Sequence, residues 1–328
     1  MFRSFSKCVL MLLLIYSGVG CQPRGVVTTP LGIRTSSAKI LSQRTYEVHE
    51  RLTLVNEGPA QPEKENLWVA LIRDFPPYQK VASMQVSPAE YKLITDEDGN
   101  QYAEFDFSNH PAGTTKTVDI TYQVIVNELM YDLSECTGQL INDFVQPELH
   151  IESANPQIIN LASELSRGKK TTCQQVRAFY DYIGNNLVYT YNGKNWGAQA
   201  ALGSMGADCT EYASLLVALS RSQHIPARYF EGLLFLNTET KAKAQLEHAW
   251  SDAYFPGMGW TAIDPTLGRA LGDRDTYFAH YTPDHIIVTM GANPSTLRGG
   301  SYWTHLYWPG NSTTISVQAS WNIKLIEQ

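Results

Sequence analysis

The sequence has few cysteines, fewer basic than acidic residues and no paired metal-ligand motif. It contains 5 cysteines, 25 lysines and arginines and 32 acidic residues, which gives a formal net charge of −7. This acidic balance offers no basic footprint for nucleic acid. Neither a Cys-x-x-Cys nor a His-x-x-x-His pair supports a zinc site, and no phosphate-binding loop, internal repeat or low-complexity segment occurs. We therefore expect neither a metal nor an organic cofactor.

A short apolar run near the N-terminus predicts export. Two basic residues precede residues 8–16, which are too few to span a bilayer. Small residues follow and lead to Cys21, so we expect a signal peptide over residues 1–20. Cys21 resembles the lipid-modified cysteine of a bacterial lipobox, which would anchor the mature chain to a membrane of the cell envelope. Gly18 departs from that motif and leaves plain signal cleavage as the alternative.

The segment 21–135 shows strand patterns without a helical period. Apolar residues alternate or run together at 46–54, 67–72, 92–95, 101–107 and 118–126. A chain of this length exceeds the usual single core, so two domains are expected. We predict an antiparallel β-sandwich for this first domain.

The segment 145–290 mixes helices with strands, which makes the fold class α+β. Helices are expected after Asn155 and after Thr172, which has the spacing of a capping box with Gln175, and a third begins at Asp208, which has the same spacing with Glu211. Strands are expected at 227–236, 249–255 and 260–263, with a loop at 237–247 and a turn at 256–259. The remaining segment 291–328 is predicted as a strand-rich C-terminal extension.

A cysteine, a histidine and an aspartate follow one another in the second domain as Cys209, His248 and Asp264. Acyl transfer by a thiol needs these types: a sulfur nucleophile, an imidazole that moves the proton, and a carboxylate that orients the imidazole. Cys209 would be the first residue of a helix, where unpaired N–H groups should lower the thiol pKa. His248 and Asp264 should lie at the same end of a hairpin whose strands are about 4.8 Å apart.

Each of these residues taken alone has a simpler interpretation. A lone cysteine is more often a small buried apolar residue, a histidine can be a satisfied core residue, and Asp-Pro often opens a turn. A zinc site made of Cys209, His248 and Asp264 is a further alternative without a paired motif to support it. Cys136 and Cys173 are left either as a disulfide pair or as two separate buried thiols.

Five ordered blocks carry a resemblance to a known family. They are Gly206–Ala213, Ile225–Arg228, His248–Trp250, Gly259–Trp260 and Asp264–Thr266. Together they resemble the core of the transglutaminase-like superfamily of papain-like thiol enzymes, over roughly residues 155–290. The resemblance implies a papain-like catalytic domain with Cys209 as nucleophile, His248 as base and Asp264 as its orienting carboxylate.

The resemblance also implies an oxyanion donor, but it does not settle the substrate. Trp196 and Gln199, just upstream of the nucleophile helix, are candidates for the second donor beside the backbone N–H of Cys209, although a Trp in such a loop is as often a packing residue. The substrate would be a peptide, a protein or a cell-wall peptide. Hydrolysis of the Cys209 thioester is favoured slightly over transamidation because water is always present. The alternative is a catalytically silent binding or scaffolding module, against which the complete triad argues.

Overall fold

The computed structural model describes residues 38–191, 196–203, 206–236, 244–292, 301–310 and 312–327. The predicted signal peptide and Cys21 lie outside the described residues, and so do residues 237–243 of the predicted loop. Within the described ranges, no helix combines the length and the apolar character needed to cross a membrane.

Two antiparallel sheets make up the N-terminal part. The strands of this part are β1 (Lys39–Gly58), β2 (Lys64–Leu71), β3 (Gln79–Ser87), β4 (Lys92–Thr95), β5 (Gln101–Asp106) and β6 (Thr115–Met130). β1, β3 and β6 belong to one sheet, and β2, β4 and β5 to the other. Alternate residues of β1 from Tyr46 to Leu54 are buried because successive side chains of a strand point to opposite faces. The predicted α+β fold with antiparallel N-terminal sheets is confirmed.

The last two strands of the chain complete these sheets. They are β12 (Trp303–Trp308), which pairs with β2, and β13 (Thr314–Glu327), which pairs with β1. The segment 291–328, predicted as an extension, therefore supplies edge strands to the N-terminal sheets. Its alternating pattern indicated strands, but a pattern within one segment does not name the partner strand.

The second part contains helices packed on a third antiparallel sheet. Its elements are α1 (Pro156–Ser166), α2 (Thr172–Asn186), α3 (Ala198–Ala201), α4 (Cys209–Ser222), β7 (Ala227–Leu236), β8 (Ala244–Phe255), β9 (Gly259–Ile263), β10 (His280–Tyr281) and β11 (His285–Met290). The strand order is β11-β7-β8-β9, while β10 joins the sheet of β1. The prediction of a loop up to residue 247 was wrong for 244–247, because Ala244 already pairs with Leu236.

Helix α4 lies at the centre of this part. All of its residues from Glu211 to Arg221 are buried, and the helix contacts β7 and β8 as well as α1, α2 and α3. A helix enclosed on all sides is apolar around most of its circumference, as Leu215, Leu216 and Leu219 illustrate. This enclosure fixes the position of its first residue, Cys209.

Two side-chain amides of the N-terminal part bind the outer edge of β11. The amide of Gln79 donates to the carbonyl of Ile287 (2.9 Å) and accepts from its N–H (2.7 Å). The amide of Asn100 makes the same pair of bonds with Met290, at 2.7 and 2.8 Å. An edge strand otherwise leaves such groups unpaired, so the N-terminal sheets help to hold β11 in place.

A disulfide bond joins Cys136 to Cys173, with their Cα atoms 6.2 Å apart. It links the chain after β6 to the first turn of α2, across 37 residues of sequence. The sequence had left this pair open between a disulfide and two separate thiols.

Candidate active site

Helix capping places Cys209 as the first residue of α4. The Asp208 carboxylate accepts a hydrogen bond from the N–H of Thr210 (3.0 Å), and the Asp208 N–H donates to the Glu211 carboxylate (2.8 Å). These bonds form the predicted capping box. The backbone N–H of Ala249 donates to the Cys209 sulfur. The thiol therefore lies against β8, next to His248.

Burial raises the pKa of the Cys209 thiol to about 12, and the negative charges of Asp208, Asp264 and Glu231 act in the same direction. The hydrogen bond from Ala249 opposes this shift but is outweighed. The expectation of a lowered thiol pKa is thus wrong. The sequence showed the helix terminus but could not show how much water the fold removes from the sulfur.

The β8–β9 hairpin brings His248 and Asp264 together. Nε2 of His248 lies 2.8 Å from Oδ2 of Asp264, and both side chains are buried. The other carboxylate oxygen accepts from the N–H groups of Thr266 and Leu267, both at 2.9 Å. Burial alone would raise the pKa of Asp264, but the charge and hydrogen bond of His248, together with His285, hold it well below its usual range. Asp264 is therefore an ionised carboxylate with fixed orientation.

His285, which the sequence analysis did not single out, also contacts Asp264. Its Nε2 lies 3.1 Å from Oδ2 of Asp264, and its Nδ1 lies 3.1 Å from Oδ1 of Asp284. Burial lowers the pKa of His285, but hydrogen bonds to the two carboxylates raise it to about 9. A histidine in Pro-Asp-His at the start of a strand carries no local signal of this role, because β11 approaches Asp264 only in the folded sheet.

Three side chains lie close enough to be considered as a metal site. Each of His248, Asp264 and His285 offers one atom that could coordinate a metal ion, and these atoms all lie within 4.8 Å of one another. A metal ion would need a deprotonated nitrogen from each ring. Both nitrogens of His285 face carboxylates, which requires a proton on each of them. Hydrogen bonding therefore accounts for this cluster.

A cavity of about 350 Å³ opens beside the thiol. Its lining includes Cys209, His248, Glu231, Glu247 and Tyr302. Burial raises the pKa of both glutamates, and the Tyr302 hydroxyl donates to the Gly232 carbonyl at 2.9 Å. The cavity thus combines the thiol, an imidazole and several acidic or hydroxyl groups.

The two oxyanion candidates are not among the residues that line this cavity. The Trp196 ring stacks on His150, with ring centres 3.9 Å apart. Gln199 is exposed, and its backbone N–H donates to the Glu152 carboxylate at 3.1 Å. The structure therefore brings Cys209, His248 and Asp264 together but leaves Trp196 and Gln199 outside the cavity lining.

Comparison with known proteins adds a family and a fold. The model of the transglutaminase-like superfamily matches residues 159–265. The protein YebA of Bacillus subtilis (strain 168), described as uncharacterized, is 27% identical over 174 residues. That match covers 45% of this chain but 23% of YebA, so the chain spans under a quarter of that relative's length.

A solved structure of a candidate cysteine protease from Cytophaga hutchinsonii superposes with a TM-score of 0.65 at 18% identity, covering 89% of this chain and 93% of that chain. At this identity the likeness concerns the fold. The segment 159–265, which contains Cys209, His248 and Asp264, is a domain of the transglutaminase-like superfamily.

Proposed function

We propose that this protein performs thiol-dependent acyl transfer on amide or peptide carbonyls, with Cys209 as the nucleophile. One observation carries the proposal: Cys209 and His248 line a single cavity, and the His248 ring is bonded to the Asp264 carboxylate. The family match supports a cysteine hydrolase or transferase in general terms. The name of the Cytophaga structure adds peptides as a substrate class by analogy of fold.

The reaction follows from the geometry. Asp264 occupies Nε2 of His248, so Nδ1 takes the proton of the thiol as sulfur bonds to the carbonyl carbon. The resulting oxyanion faces the N-terminus of α4, where backbone N–H groups stabilise negative charge. His248 then gives its proton to the leaving amine, and the C–N bond breaks to leave a Cys209 thioester. Water attacks this thioester as His248 removes its proton, the C–S bond breaks to release the carboxylic acid, and His248 returns the proton to the sulfur.

The raised pKa of the thiol means that the proposed mechanism starts from a protonated sulfur and not from a thiolate. Because that pKa is about 12, the sulfur is protonated at neutral pH and becomes nucleophilic as His248 removes the proton. The same value favours the alternative of a silent binding module, since a protonated thiol reacts slowly. Hydrolysis remains preferred to transamidation because water needs no binding site for an acceptor amine.

An assay with trapped intermediates tests the proposal. The mature chain is incubated with a library of peptides and cell-wall fragments, with and without a labelled primary amine, and its intact mass is followed. We expect a thioester adduct in the wild type and none in Cys209→Ala. New carboxylates would indicate hydrolysis, and incorporated amine would indicate transfer. Tight binding of unmodified fragments without any adduct would favour the binding module and contradict the enzyme.

We also propose that the chain is exported and anchored in the cell envelope through lipid on Cys21. The basic and apolar N-terminal pattern supports export, and the cysteine after small residues supports lipidation. Wild-type protein expressed in bacteria should partition into the detergent phase, and Cys21→Ser should not. A wild-type protein that stays in the aqueous phase with a different mature N-terminus would contradict lipidation but not export.

A further inference from the structure

We infer that His285 is a positioning residue for the Cys209 site: a buried imidazolium that holds the Asp264 carboxylate and opposes transfer of the thiol proton to His248. The inference rests on the proposed function for Cys209, His248 and Asp264. It assigns a role to a residue that neither the motif blocks nor the matched segment 159–265 contains.

The hydrogen bonds of His285 define its protonation. Nε2 faces Oδ2 of Asp264 at 3.1 Å, and Nδ1 faces Oδ1 of Asp284 at 3.1 Å, with the Thr282 hydroxyl at 3.0 Å. An ionised carboxylate only accepts hydrogen bonds, so each ring nitrogen must donate. The side chain is 3% exposed. The ring is thus a positive charge enclosed between two carboxylates.

The rings of His285 and His248 bond the same carboxylate oxygen. Oδ2 of Asp264 receives both rings, at 2.8 and 3.1 Å, and the ring centres of His248 and His285 are 5.8 Å apart. A fixed positive charge at that distance opposes a second one and changes a proton equilibrium about tenfold in a medium between protein and water. Loss of the His285 charge should therefore favour transfer of the thiol proton to His248.

The other titratable groups around the two rings are acidic or neutral. On the His285 side, the pKa of Asp284 is lowered despite burial, because of its hydrogen bond to His285, and the hydroxyls of Tyr46, Tyr277 and Tyr281 have raised pKa values because they are buried. On the thiol side the acidic neighbours are Asp208, Asp264 and Glu231. His285 is the group with a raised pKa and a positive charge in this set.

The ring is also held mechanically. Trp250 contacts it edge to face, with ring centres 4.9 Å apart. His285 is the first residue of β11, whose later residues Ile287 and Met290 bond the amides of Gln79 and Asn100. The N-terminal sheets thereby fix the strand that carries the positioning residue.

Alkylation of Cys209 by iodoacetamide tests the inference without a substrate. The variant His285→Gln keeps an amide donor toward Asp264 and removes the charge. We expect its Cys209 to react about tenfold faster than that of the wild type near pH 7, because more thiolate–imidazolium pair forms. A role limited to packing would instead leave the rate unchanged or lower it, and either result in a folded variant would overturn the inference.

The matched control is His110→Gln. His110 is a fully buried histidine whose two ring nitrogens also bond acceptors, the Glu65 carboxylate (2.9 Å) and the Thr114 carbonyl (3.0 Å). It lies among the N-terminal sheets, so its replacement should leave the alkylation rate as in the wild type. An equal acceleration in both variants would reflect loosening of the fold and would overturn the inference.

Two further measurements keep the test independent of folding and of the proposed function. In the wild type, the ring resonance of His285, assigned through its contacts with Trp250 and Tyr281, should titrate near pH 9; titration below pH 7 would overturn the inference. Stoichiometric zinc retained by the wild type and lost in His285→Gln would overturn it by making the residue a ligand. If His248→Gln leaves alkylation unchanged, the proposed function itself fails.

Discussion

Glu65 and Asp264 are both buried carboxylates that bond two histidine rings. Glu65 receives Nδ1 of His110 at 2.9 Å and Nε2 of His305 at 3.0 Å. It belongs to β2 in the N-terminal sheets and is fully buried. Each of its two carboxylate oxygens has a histidine partner, so this cluster satisfies the hydrogen bonding of a buried carboxyl group.

The Asp264 cluster has the same composition and a different surrounding. One of its rings, His248, lines the cavity that also contains the Cys209 thiol. The two clusters thus differ in their surroundings: the Asp264 cluster has a histidine that lines a cavity beside a thiol. In both clusters the carboxylate orients a histidine, and under the proposed function it also serves the reaction where a thiol and a cavity adjoin the histidine.

Replacing one histidine of each cluster should separate these roles most strongly. His248 and His305 each offer one nitrogen to a carboxylate. We expect His248→Gln to lower the rate of thioester formation by about 10²- to 10⁴-fold, because proton transfer from the thiol is lost. Folded His305→Gln should form the thioester at the wild-type rate. Mass spectrometry of the acyl-enzyme measures both, and equal losses would remove the distinction between the clusters.

Removal of the Glu65 carboxylate should lower the stability of the protein without changing the reactivity of Cys209. Glu65→Ala leaves two buried histidine nitrogens without their acceptor, and each buried polar group left unpaired costs about 1–3 kcal/mol of unfolding free energy. Denaturant unfolding of this variant beside Glu65→Gln, which keeps an oxygen acceptor, measures the cost. The folded fraction should alkylate Cys209 at the wild-type rate. A change in that rate would mean that the Glu65 cluster influences the active site.

The sequence was most informative where a local pattern determines the structure. The capping residues Asp208 and Glu211 predicted the start of α4, and the alternation in β1 predicted a strand with one buried face. The family recognition and the fold class were confirmed. In these cases the relevant interactions join residues within a few positions of each other, so the order of residue types carries the signal.

The features that were missed depend on contacts between distant segments. His285 reaches Asp264 because β11 pairs with β7, which an isolated Pro-Asp-His does not reveal. The raised pKa of Cys209 arises from burial produced by the whole domain. The pairing of β13 with β1 likewise joins the two ends of the described chain. Long-range register and desolvation are properties of the assembled fold.

The Asp264 cluster should make the stability of the protein depend on pH through His285. Since the pKa of His285 is raised from 6.5 to about 9, its contribution is fully present below pH 6.5 and is lost as pH rises through about 9. The loss should be about 3 kcal/mol. Denaturant unfolding from pH 6 to pH 10 measures it, and His285→Gln should flatten the decline. A decline that persists in that variant would assign it to other groups.

The smallest predicted effect concerns the glycine beside the Asp264 cluster. Gly232 pairs with His248 across β7 and β8, and a Cβ there would lie 2.6 Å from Cη2 of Trp250 and would collide with the Ile286 carbonyl. Gly232→Ala should therefore cost about 1–3 kcal/mol through overpacking and displace the indole from His285. Gly272→Ala is the matched control, because a Cβ at Gly272 meets no atom within 4 Å. Denaturant unfolding and tryptophan fluorescence measure the two effects. If Gly232→Ala matched the control in both, β7 would have room to shift, and the packing of Trp250 would not be what fixes His285 at Asp264.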